Sequence, residues 1–88
     1  MPFAGKIYTG TLEAFNYTGT LTVQVAINGT GNASYPISVT GSGSTVGATA
    51  NWLSAPLSFN AGDNINYIIT AIGSSGSGSV ATLWYVFT

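Results

Sequence analysis

The sequence predicts an all-β protein: an antiparallel β-sandwich or jelly roll of about seven to eight strands. Three observations predict it. Apolar and polar residues alternate with period two, as in Leu21, Val23, Val25 and Ile27 against Thr20, Thr22, Gln24 and Ala26. Turn signals recur about every ten residues, with Asn28-Gly29 the clearest. No segment has a helical period. The 88 residues form a single domain, 1–88.

Each element follows from its residues. Lys6 to Phe15 reads as a first strand, bulged near Gly10. Thr20 to Asn28 is the second, and Asn28-Gly29 closes it with a type I′ hairpin, because both residues tolerate positive φ. Ala33 to Thr40 is the third, with Ala33, Tyr35, Ile37 and Val39 on one face. Pro36 cannot donate to a ladder, which makes this an edge strand. Gly41 to Ser44 reads as a loop. Thr45 to Leu53 follows, with Val46, Ala48, Ala50 and Trp52 alternating. Ala55 to Phe59 is short and directs Leu57 and Phe59 one way. Ala61 to Asn64 is a turn in which Gly62 supplies φ > 0 and Asp63 bonds backbone ahead of it. Asn64 to Ile72 carries Ile65, Tyr67, Ile69 and Ala71 on one face. Its second face holds Ile68 and Ile72, which predicts a central strand. Gly73 to Ser79 reads as a loop, and Val80 to Phe87 as the last strand.

Composition narrows the function. Only 3% of residues are charged, namely Lys6, Glu13 and Asp63, against roughly 25% in an ordinary domain. His and Cys are absent, so Cys/His zinc sites, disulfides and His-dependent nucleophile systems are excluded. One basic residue gives no electrostatic source for nucleic-acid binding. Glu13 lies mid-strand, solvated or paired with Lys6, and Asp63 orders a turn; two carboxylates placed so do not suggest a glycosidase. No enzyme and no cofactor is expected. The longest apolar stretches are too short and too polar to cross a bilayer as a helix, no signal-peptide pattern is visible, and no membrane partner is expected.

A net charge of −1 gives copies little reason to repel. A chain this small builds a marginal core, and disulfides are unavailable to support it. The sheet edges carry one Lys and few other protective devices. The expectation is a homo-oligomer, dimer or trimer, or a protein seated on a larger assembly. Trp52, at a strand end beside a Pro-containing link, and Tyr17 are the candidates for stacking on a sugar. Asn16, Asn28 and Asn32 match the N-glycosylation sequon, but one or two such matches are expected by chance in a chain so rich in Asn, Ser and Thr, and they carry no weight.

Three segments resemble a small jelly-roll module of tailed-bacteriophage virion proteins: capsid decoration (cement) proteins, head fibres and tail-fibre tips. Pro2-Phe3-Ala4-Gly5-Lys6-Ile7 is similar to its opening strand. Thr18 to Thr30 is similar to its strand leading into an Asn-Gly-Thr hairpin, and Leu57 to Ile65 to its Ala-Gly-Asp turn. Ala81 to Phe87 fits its closing strand. The resemblance implies a structural virion protein on the outer face of a phage head, stabilising the shell through contacts with the major capsid protein and with itself. The contact candidates are Pro2, Phe3, Ile7, Tyr35, Pro36 and Ile37. The alternative is a tail-fibre or head-fibre tip that binds a host glycan or receptor through Trp52 and Tyr17. The family brings no catalytic residues.

Overall fold

The computed structural model describes residues 2–73, 76 and 78–87. They form one antiparallel sheet of five strands: β1 (Gly5–Ile27), β2 (Thr30–Asn51), β3 (Leu57–Phe59), β4 (Ile65–Ala71) and β5 (Gly78–Phe87). The all-β class and the antiparallel sheet are as the sequence predicts. The strand count is smaller, because two predicted pairs of strands are continuous. Lys6–Phe15 and Thr20–Asn28 lie within β1, and Ala33–Thr40 and Thr45–Leu53 lie largely within β2.

Strand β1 is the axis of the molecule. Along one side it pairs with β2 and then β3, from Ile27↔Thr30 to Gly5↔Phe59. Along the other it pairs with β4 and then β5, from Ile27↔Ile65 to Gly5↔Phe87. The sheet is thus a three-ply ribbon. A straight strand of this length would extend about 75 Å, but the molecule is 40 Å long. The ribbon folds back on itself.

The fold lies where pairing slips. The β1–β2 register shifts between Ala14 and Tyr17 and again between Tyr17 and Thr18. Asn16 (φ 50°) and Gly43 (φ 97°) adopt left-handed backbone there. An extra residue on each strand bends it and adds twist. Gly41 to Ser44, expected as a loop, is therefore the bend of β2 and not a break in it. The expected bulge near Gly10 falls instead at Tyr8, where the β1–β5 register shifts.

The two arms bury their apolar faces on each other. Leu12 and Ala14 of the first arm cluster with Leu21, Val23, Ile37 and Val39 of the second. Ile7 of the first meets Val25 of the second, beside Leu57 and Phe59. Ile7, Ala14 and Val25 are wholly buried. Ile7 and Ile37, both expected as contact residues, are core residues: strand alternation turns them inward, so neither presents its side chain to a partner in the folded chain. Tyr17 is also buried, at the bend, where it accepts a hydrogen bond from Gly73 N–H. It has no free face for a sugar.

The hairpin Asn28-Gly29 forms as predicted, with φ of 52° and 84°. Strand β4 is not central: among the described residues it pairs with β1 alone. Its second apolar face has another cause. Ile68, paired opposite Gln24 of β1, reaches across that strand toward β2, and its Cδ1 occupies the space a Cβ on Gly31 would need. Of the predicted loop Gly73 to Ser79, residues 74, 75 and 77 lie outside the described residues, and Gly78 and Ser79 belong to β5.

Candidate functional site

The outer edge of β2 is the feature with most to offer a partner. Among the described residues β2 pairs only with β1, so the ladder groups of its other edge are open to a further strand. The bend divides this edge into two straight runs of roughly ten residues each. None of the 22 residues of β2 is charged. Of the usual protections against edge pairing it has Pro36, which is exposed, and the bulge at Gly43. A shallow groove of ≈ 510 Å³ lies along the first-arm run, lined by Thr11, Leu12 and Glu13 of β1 and residues 45–49 of β2.

Hydroxyl pairs finish the outward face. Thr20 and Thr40 hydroxyls lie 3.0 Å apart, and Thr22 and Ser38 hydroxyls 2.7 Å apart. Thr9 Oγ1 donates to Asn51 Oδ1 at 3.1 Å. These cross-strand pairs satisfy polar groups without charge.

The predicted contact residues are not gathered together. Pro2 and Phe3 are exposed on the N-terminal arm, ahead of β1. Tyr35 and Pro36 lie on the second-arm run of β2. Tyr35 is half-buried: it packs edge-to-face on Trp52 with ring centroids 5.3 Å apart, and its hydroxyl donates to Ala55 O at 2.9 Å. Trp52 packs against both core clusters and is half-buried, not an open platform. Among the described residues Leu53, Ile69, Ile72, Tyr85 and Val86 are further exposed apolar side chains. Ile69 shares its alternation with core-facing Tyr67, and only the open flank of β4 leaves it in solvent.

The carboxylates stand apart. Lys6 and Glu13 are separated by about 20 Å of strand and do not pair; of the two expected placements Glu13 takes the solvated one, since it is exposed. Asp63 lies at the other end of the first arm from Glu13: it binds Asn60, which follows the Phe59 that pairs with Gly5. Eight strand residues, or about 25 Å, separate Gly5 from Glu13. A two-carboxylate site needs them within about 10 Å.

Asp63 instead joins the two ends of the ribbon. Its Oδ2 accepts from Asn60 N–H at 2.8 Å and its Oδ1 from Asn28 Nδ2 at 3.0 Å. Asn28 Oδ1 accepts from Asn64 N–H at 2.9 Å, and Asn28 N–H donates to Asn64 O at 2.8 Å. The Asn60 amide first, and the Asn28 side chain second, hold the Asp63 carboxyl below its usual range. Asp63 thus reaches back to its own turn and across to the β1–β2 hairpin. A second tie joins β4 to β5: the Tyr67 hydroxyl donates to Thr82 O at 3.0 Å. Burial pushes the Tyr67 phenol up to about 12.

Among the described residues no helix is long and apolar enough to cross a membrane. No protein-family model matches this chain, and no curated protein or solved structure matches it significantly.

Proposed function

We propose that this chain is a structural, assembly-forming protein: a capsid decoration protein on the outer face of a tailed-phage head. On this reading the folded ribbon is a jelly-roll sandwich, and its partners are copies of itself and the major capsid protein. The observation that carries the proposal is the open, uncharged edge of β2. An unpaired edge without charge is a template for another chain. The resemblance of three segments to phage virion modules supplies the setting. Exposed Phe3 and Leu53 add apolar surface of the kind that interfaces bury.

Such a protein stabilises a shell by binding the assembled state and not the free subunits. Many symmetric copies add avidity. Little of the attraction is ionic, so salt has little to screen. Heads of the encoding phage, stripped of the chain and re-incubated with it, should take it up equally in about 0.1 M and about 1 M NaCl. Loss of binding at the higher salt contradicts the proposal. The glycan-binding tip finds less support, because Tyr17 is buried and Trp52 is packed against Tyr35.

A further inference from the structure

Asn28 carries chemistry that a shell contact does not use. Of the seven asparagines it alone precedes a glycine. The backbone nitrogen of the following residue can attack an asparagine side-chain carbonyl, and glycine hinders that attack least because it has no side chain and rotates freely. The structure holds Asn28 away from this reaction. Both ends of its amide are engaged across the gap to the β3–β4 turn, Oδ1 by Asn64 N–H and Nδ2 by Asp63 Oδ1. The residue is exposed, so water reaches it whenever those bonds open.

We propose that Asn28 is a latent deamidation site, held shut by Asp63 and Asn64, whose conversion unlatches the joined ends of the ribbon. The Gly29 nitrogen bonds to Asn28 Cγ and gives its proton to solvent. The Cγ–Nδ2 bond breaks and ammonia leaves. Water then opens the cyclic imide at either carbonyl, giving aspartate or its β-linked isomer. Neither product restores the latch. Aspartate places a carboxylate oxygen where Nδ2 donated, facing Asp63, and two like charges at that distance repel. The β-linked isomer adds a backbone atom to a two-residue turn whose geometry admits none.

The test follows Asn28 by peptide mass spectrometry while the chain stands at mildly alkaline pH, folded or in urea. Folded wild type should convert far more slowly than the denatured chain. Asp63→Ala, folded by circular dichroism, should convert about tenfold faster than folded wild type, the effect of losing one charge-assisted hydrogen bond. Equal rates in folded and denatured wild type overturn the proposal, as do equal rates in folded wild type and Asp63→Ala. The unlatching is read separately. Asn28→Asp should lower the melting temperature, and adding Asp63→Asn should restore it. The exchange again sets a donor opposite a carboxylate and leaves the Asn60 and Asn64 amides with acceptors. An Asn28→Asp chain as stable as wild type, or a double variant no better than the single one, overturns it.

Discussion

Gly10→Ala probes the folding of the ribbon directly. Gly10 lies on the first arm of β1, paired with Ala50 and Leu83. A Cβ added there would stand 2.7 Å from Ile37 Cδ1, 2.9 Å from Tyr67 Oη and 3.0 Å from Trp52 Cη2. Ile37 and Tyr67 belong to the second arm, so the clash exists only if the arms face each other. Ile37 is 3% exposed and has no solvent to move into. Overpacking of this kind costs about 1–3 kcal/mol. Alanine also restricts the unfolded chain, which offsets about 0.4–1 kcal/mol. The net loss is about 1–2 kcal/mol, which lowers the melting temperature by roughly 5–15 °C for a domain of this size. Thermal unfolding followed by circular dichroism, at one fixed protein concentration, reads it. Gly47→Ala is the control: its Cβ would meet only the flexible Glu13 Cγ, at 3.2 Å, and the Leu12 carbonyl oxygen, at 3.5 Å. That variant should lie within about 0.5 kcal/mol of wild type. A Gly10→Ala chain as stable as wild type would refute the packing of arm on arm.

Two further predictions concern pH. Tyr67 ionises at about 12 in the folded chain against 10.0 ordinarily; the raised value means stability is intact below pH 10 and falls as pH rises from 10 to 12, because the unfolded chain ionises first. The ring is half-exposed, which keeps the change on the order of 1 kcal/mol, and an alkaline melting series on Tyr67→Phe should lack it. The Asp63 carboxyl is lowered in the folded chain, so its contribution is present above the ordinary carboxylate range and is lost as pH falls through and below it. Acid melting curves of wild type and Asp63→Ala should therefore converge at low pH and separate near neutrality.

Strand positions were legible where alternation is clean. Leu21 to Ile27 names its own inner face, and Asn28-Gly29 its own turn. Continuity was not legible. Gly41 to Ser44 has the composition of a loop, and only pairing with Gly19, Thr18 and Tyr17 shows it to be bent strand. The alternation of Leu12 and Ala14 would turn Tyr17 outward; the extra residue at left-handed Asn16 turns it inward instead, and nothing in the sequence marks that bulge. In β4 two apolar faces suggest a centre, whereas on the second face Ile68 reaches across β1 to Gly31 and Ile72 is exposed. The latch between Asn28 and Asp63 joins residues 35 apart in the chain, and nothing local announces such a partner. The open edge of β2 was half visible, through Pro36 and the missing charges; its length became clear only when two predicted strands proved to be one.

The most direct measurement is sedimentation of the purified chain over a wide concentration range, in low salt and in about 1 M NaCl. Association that grows with concentration and survives the salt, and that lysines placed at Ser38 and Thr45 on β2 disperse, is the expected result. A chain that stays monomeric at every concentration and binds no head would contradict the account.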